Sequence, residues 1–139
     1  MTFEEPWQFY SFLDSADLCQ FVFGPAWTLY GPQETVDVVK AITGWNEFAL
    51  DELLRVGERR INMMRVFNAR EGLNRQDDRL PKKFFKALEG TGPTADVALR
   101  QDEIEHAKDL YYQMAGWDVV TGAPTRARLA QLGLEWLAS

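Results

Sequence analysis

The stretch LDELLRVGERRINMMRVF, residues 50–67, carries apolar or small side chains three or four positions apart. These positions are Leu50, Leu53, Leu54, Gly57, Ile61, Met64 and Phe67. The spacing matches the period of an α-helix and predicts one long helix with a continuous buried stripe beside an arginine-rich face. Glycine within a helix costs about 1 kcal/mol relative to alanine. We therefore expect a second helix to cross closely at Gly57.

The rest of the chain also shows helical spacing, with Gly and Pro between the periodic segments. Asn46 is a candidate N-cap for the long helix, and Thr125 for the last one. Loops are predicted at 72–80 and 89–93. The other helices are predicted at about 15–23, 32–44, 81–88, 101–116 and from 124 onward, with buried contacts from Ile104, Ala107, Leu110, Tyr111, Met114, Leu129, Leu132 and Leu134. The predicted fold is all-α, a multihelical single domain of about six helices.

Composition limits the function classes. The chain has 139 residues, a formal net charge of -6 and one cysteine. A chain of this length normally forms one core. The acidic balance argues against a phosphate-backbone partner despite a local arginine cluster, and a single cysteine excludes an internal disulfide framework. No apolar run is long enough to span a membrane, so we expect a cytoplasmic protein without nucleic-acid or membrane partners.

Five short stretches can be compared with a known family. They are LDSADLC at 13–19, RVFNAREG at 65–72, DDRLPKKF at 77–84, YYQMAGWD at 111–118 and GAPTRARL at 122–129. In this order they resemble the C-terminal domain of tungsten-containing aldehyde ferredoxin oxidoreductases. The resemblance covers nearly the whole chain, and implies that residues 1–139 form a helical domain of a larger enzyme and are inactive alone.

The resemblance also implies a reaction and its partners. Enzymes of this family oxidise an aldehyde with water to a carboxylic acid, and electrons pass from a tungsten bis-pterin centre to a [4Fe-4S] cluster and then to ferredoxin. The cofactors carry that chemistry, while the protein binds and orients them. The implied partners are the upstream domains of the same enzyme and ferredoxin, with a homo-oligomer as a further expectation.

Cys19 has two interpretations. A lone cysteine is most often a small buried hydrophobe. The resemblance instead implies a metal ligand, because the cysteine that ends this motif is the fourth ligand of the cluster. The other three ligands come in the family from an upstream Cys-x-x-Cys-x-x-x-Cys run, which this sequence lacks. Cys19 alone therefore cannot hold a cluster.

Two neighbours of Cys19 complete the predicted cofactor-binding set of Asp14, Leu18 and Cys19. The resemblance implies that the Asp14 carboxylate accepts hydrogen bonds from a pterin and that the backbone around Leu18 contacts it. From the residues alone, Asp14 is equally a candidate N-cap of the first helix. Asp17 stands where the family has glycine, which adds a charged side chain where the backbone approaches the cofactor. No catalytic residue is carried over.

The polar segment 68–78 ends the long helix. A segment of this kind is usually a hydrogen-bonded corner joining subdomains, and the minority interpretation places Arg70 or Arg75 along a substrate or cofactor channel. His106, the one histidine of the sequence, lies beside Glu103 and Glu105 on a predicted exposed helix face. It is a poor catalytic candidate.

Other functions remain open from the sequence. The chain could be a cofactor-free helical interaction or structural domain descended from the family, or part of a related enzyme acting on aromatic acyl thioesters or keto acids. A helix-turn-helix DNA binder is a distant third, and the acidic balance argues against it. If the chain docks on a cofactor domain, we expect an exposed apolar surface at Leu13, Leu18, Phe21 and Trp27.

Overall fold

The computed structural model describes residues 5–24 and 29–138. The α-helices in these ranges are α1 Glu5–Ser15, α2 Gln20–Phe23, α3 Pro32–Thr43, α4 Leu50–Arg70, α5 Gln101–Ala115 and α6 Arg126–Gln131. Short 3₁₀ turns follow at Lys82–Phe85 and Glu135–Leu137. Extended pairing in the described residues is limited to an isolated bridge between Trp117 and Pro124. The predicted all-α fold class is confirmed.

Several helix ends lie where the sequence predicts them. Pro32 occupies the first turn of α3, and Gly44 ends that helix in the left-handed region at φ 73°. Gly116 ends α5 in the same way at φ 71°. Thr125 caps α6, because the Arg128 N–H donates to its Oγ1 at 3.2 Å.

The predicted first helix at 15–23 is wrong. Helix α1 begins at Glu5 and ends at Ser15, and the much shorter α2 begins at Gln20. The break follows from Asp17, whose φ of 58° cannot continue a right-handed helix. Asn46 is not the N-cap of α4 either, since it lies in a turn and α4 begins at Leu50. The 3₁₀ turn at Lys82–Phe85 is shorter than the helix predicted at 81–88.

The buried faces of the two longest helices differ from the predicted stripes. On α4, Leu53 is fully buried, but Met64 and Phe67 are 51% and 63% exposed. On α5, Leu110 and Met114 are about half exposed, while Tyr112 is buried. Tyr112 packs against Tyr111 and Trp117 and hydrogen-bonds to Asp78, so tertiary partners determine which face is covered. Leu129, Leu132 and Leu134 are buried as predicted.

The contacts divide the chain into two compact units. The first comprises the described residues up to Arg65 together with 129–138, and the second comprises 66–128. The core of the first unit is formed by Phe9, Phe12, Leu13, Val36, Phe48 and Leu53. No helix in the described ranges is long and apolar enough to cross a bilayer.

Helices α1 and α4 cross closely at Gly57, which confirms the expectation from the sequence. A Cβ atom added to Gly57 would lie 1.8 Å from the carbonyl oxygen of Gln8 and 3.0 Å from the backbone nitrogen of Phe12. The Ser11 hydroxyl donates to the Gly57 carbonyl oxygen at 2.8 Å. The crossing therefore has no room for any side chain on α4 at this point.

Candidate functional site

The candidate cofactor-binding residues lie at and beyond the end of α1. Asp14 belongs to the last turn of that helix, so the interpretation of Asp14 as an N-cap is wrong. Cys19, not Asp14, directly precedes α2, and its side chain makes no capping hydrogen bond. Asp14, Leu18 and Cys19 therefore lie within one short segment, residues 14–20, which we call the α1–α2 loop.

The Asp14 carboxylate is held from two sides. Its Oδ1 accepts a hydrogen bond from Gln20 Nε2 at 2.7 Å, and its Oδ2 lies 3.2 Å from Arg60 Nη1 on α4. An ionised carboxylate has about four acceptor positions, so two contacts leave room for further donors. The Asp14 side chain is 41% exposed and can be reached from outside this unit. Sequence reasoning missed both partners, because only the folded chain brings Arg60 to this loop.

Leu18 anchors the α1–α2 loop to the core. Its side chain is partly buried against the apolar cluster of the first unit, and its N–H donates to the Leu13 carbonyl oxygen at 2.9 Å. These contacts fix the backbone one residue before Cys19. A contact between this backbone and a pterin stays a prediction.

Asp17 adopts the backbone conformation that favours glycine. Its φ of 58° lies in the left-handed region, which aspartate visits more readily than most other residues with a Cβ. This position is the one where the resemblance implies glycine. A requirement for left-handed backbone explains such a glycine without a ligand, and shows how Asp17 is accommodated.

Two substitutions at Asp17 test this explanation. Asp17→Gly should slightly raise the free energy of unfolding, because relief of left-handed strain outweighs the greater freedom of the unfolded chain. Asp17→Ala should lower it, since alanine has no polar side chain to favour this conformation. We expect the two variants to differ by about 1 kcal/mol in urea unfolding. Equal stability of the two would contradict the assigned backbone conformation.

Cys19 is exposed, so its interpretation as a small buried hydrophobe is wrong. An exposed thiol can serve as a ligand to a group held by another part of a protein. Within residues 5–24 and 29–138, no group of three or more His, Cys, Asp or Glu side chains could hold a metal ion. Cys19 can therefore supply one ligand while the others come from elsewhere. Its metal-binding role stays a prediction.

Arg75 organises the polar corner of the second unit. Its guanidinium donates to Asp109 at 2.5 Å, to Glu105 at 2.8 Å and to the Val119 carbonyl oxygen at 2.8 Å, and it lies 5.5 Å from the Tyr112 ring centre. Hydrogen bonds from Lys108 and then Arg75 hold the pKa of Glu105 below its usual value. The hydrogen bonding predicted for segment 68–78 is present within this unit, where structural contacts occupy Arg75. That the segment joins subdomains stays a prediction.

The predicted exposed apolar surface at Leu13, Leu18, Phe21 and Trp27 is only partly present. Leu13 is fully buried in the core, so its predicted exposure is wrong. Phe21 is 72% exposed, as predicted, and Leu18 is only partly buried. Trp27 lies outside the described residues.

His106 is on the exposed surface of α5, and Arg70 is exposed at the end of α4.

Comparison with known families decides the relationship. The family model described as aldehyde ferredoxin oxidoreductase, domains 2 and 3, matches residues 3–134. The chain belongs to this family. It is 34% identical over 125 residues to the tungsten-containing aldehyde ferredoxin oxidoreductase of Pyrococcus horikoshii and 32% identical over 124 residues to that of Thermococcus kodakarensis. Each match covers 88% of this chain but 19% of the relative, so the chain spans about a fifth of their length.

A solved structure supports the fold. The active-site complex BamBC of benzoyl coenzyme A reductase, bound to 1,5-dienoyl-CoA, superposes with a TM-score of 0.75 at 22% sequence identity. The superposition covers 96% of this chain and 19% of that chain. At this identity the likeness shows a shared helical fold and no more. The family match therefore shows the relationship, and the superposition shows the fold.

Proposed function

We propose that residues 1–139 form the C-terminal helical domain of a larger cytoplasmic tungsten-pterin, iron–sulfur oxidoreductase that converts aldehydes to carboxylic acids and delivers electrons to ferredoxin. The observation that carries the proposal is the α1–α2 loop, where an exposed cysteine and a positioned carboxylate lie five residues apart. Identity of 34% to a tungsten-containing relative supports the same activity. That relative is named for its action on aldehydes.

The residues of the loop fit their proposed partners chemically. Cys19 would give one thiolate to a [4Fe-4S] cluster whose other ligands lie outside this chain, and its exposure makes that contact available. Asp14 would accept the amino and ring N–H donors of a pterin. When bound, the tungsten-pterin centre and the cluster supply the redox chemistry.

Neighbouring residues of the loop and of α4 position these two groups. Arg60 and Gln20 hold the Asp14 carboxylate in place, so less side-chain freedom is lost when it meets further donors. Burial of Leu18 fixes the backbone that carries Cys19. In the overall reaction an aldehyde and water yield a carboxylic acid, two protons and two electrons. This chain contributes binding and orientation to that reaction.

The test is anaerobic production of the chain together with the polypeptide that supplies the three remaining cluster cysteines. We expect the complex to contain tungsten and to reduce ferredoxin when an aldehyde is added. Asp14→Ala should remove most of the tungsten by deleting the pterin contact. Asp37→Ala is the matched control, because Asp37 is also an exposed helical aspartate that accepts from a glutamine side chain. Equal tungsten in both variants would contradict the role of Asp14.

A cofactor-free interaction domain is the second candidate. The observation that favours it is that Gln20 and Arg60 contact both Asp14 oxygens. Residues of this chain therefore already occupy some of the acceptor positions of the carboxylate. The same experiment separates the candidates. A stable complex that contains neither tungsten nor iron would support the interaction domain.

A further inference from the structure

The DDRLPKKF motif has no role in the proposed cofactor contacts, yet it overlaps the most basic segment of the chain, residues 79–86. Four of the fifteen Lys and Arg residues fall within the eight positions 79–86, and no acidic residue occurs between 79 and 88. The four are Arg79, Lys82, Lys83 and Lys86. This concentration of positive charge is unusual in a chain whose net charge is -6.

These cations are exposed on the surface of the second unit. In the described part of the chain, none of the four forms an ion pair, whereas Arg59, Arg60, Arg75, Arg100 and Lys108 all do. The adjacent carboxylate of Asp78 is engaged by the Tyr112 hydroxyl. The four charges therefore remain available to a partner.

Exposed apolar side chains accompany the charges. Leu80 and Phe84 are 37% and 45% exposed within the same segment. Backbone hydrogen bonds from Leu99 N to Phe84 O at 3.0 Å and from Leu88 N to Val97 O at 3.2 Å bring a second exposed apolar segment alongside. An open cavity of about 480 Å³ is lined by Arg79, Leu80, Pro81 and Lys82. We call residues 79–88 with 97–99 the basic face.

We propose that the basic face is the docking surface for an acidic iron–sulfur electron carrier of the ferredoxin class. The proposal rests on the proposed function, in which such a carrier accepts the electrons. Charge complementarity supports this occupant, because an acidic carrier would be repelled by the acidic remainder of the chain and attracted to the basic face. Permanent interfaces are depleted of charge in their core, whereas the basic face mixes cations with apolar groups as transient encounter surfaces do.

The test is calorimetric titration of the full 139-residue chain with a purified acidic [4Fe-4S] ferredoxin at low and high ionic strength. The parent chain should bind at low ionic strength and weaken as salt rises. The double variant Lys82→Glu/Lys86→Glu should weaken binding by about tenfold or more. The control Arg55→Glu/Arg126→Glu changes the net charge equally at two exposed sites off the basic face, and should weaken binding by less than about threefold.

Three results would overturn the proposal. The first is that the parent chain does not bind ferredoxin at low ionic strength. The second is that both double variants weaken binding equally. The third is that Lys82→Glu/Lys86→Glu disrupts assembly with the rest of the enzyme while ferredoxin binding is unchanged. The last would assign the basic face to the enzyme's other domains. Failure of the proposed function would appear separately, as a complex without tungsten or iron.

Discussion

Replacing Gly57 with alanine should lower the free energy of unfolding by about 3 kcal/mol or more, because the new methyl group would enter the backbone of α1. The added Cβ would lie 1.8 Å from the Gln8 carbonyl oxygen, and a backbone atom cannot rotate away as a side chain can. Helices α1 and α4 would have to separate at their crossing. Separation would also break the 2.8 Å hydrogen bond from Ser11 to the Gly57 carbonyl oxygen.

Whether Gly57→Ala lowers or raises the free energy of unfolding shows whether the two helices cross closely at this residue. Helix propensity alone predicts that Gly57→Ala stabilises α4 by about 1 kcal/mol. Gly92→Ala is the control, since nothing lies within 4 Å of a Cβ at Gly92. We expect that control to unfold in urea within about 0.5 kcal/mol of the parent. A more stable Gly57→Ala variant would contradict the close crossing.

Replacing Arg75 with methionine should destabilise the chain by about 2 kcal/mol, after allowance for solvent screening of its partly exposed partners. The substitution keeps much of the side-chain volume but removes the donors to Asp109, Glu105 and the Val119 carbonyl oxygen. It also removes the cation that faces the ring of Tyr112. Arg75 is only 18% exposed on its side chain, so water replaces these contacts poorly.

The loss of stability in Arg75→Met should depend on pH. The pKa of Glu105 is held low in the folded chain by Lys108 and then by Arg75. The contribution of Glu105 to the free energy of unfolding is therefore fully present above its pKa in the unfolded chain. It disappears as the pH falls through its pKa in the folded chain. The difference between parent and Arg75→Met should therefore shrink in acid. Arg100→Met is the control, because Arg100 also pairs at 2.5 Å with a carboxylate, Asp102, but is 68% exposed. An equal loss in both variants would contradict the special role of Arg75.

Features set by a few neighbouring residues could be predicted from the sequence. The ends of α3 at Pro32 and Gly44 depend on local backbone preferences, and so does the cap at Thr125. The crossing at Gly57 was predictable because glycine has no local advantage in a helix interior. The family motif at 13–19 likewise identified the α1–α2 loop as the candidate site.

Features set by distant partners could not be predicted. Leu13 is buried and Phe67 exposed because of which neighbours pack against them, and helical spacing alone does not name those neighbours. The pairing of Asp14 with Arg60 joins residues 46 positions apart. The break at Asp17 was missed because a single left-handed residue leaves the apolar periodicity on both sides intact.

The decisive measurement is the iron content of the anaerobically assembled complex, because Cys19 is the residue through which this chain would hold the cluster. We expect Cys19→Ser to form the complex but to lose most of its iron. Ser15→Ala, a small change within the same loop at the last residue of α1, should keep the parent's iron content. Equal iron in Cys19→Ser and Ser15→Ala would contradict a role of Cys19 as a cluster ligand.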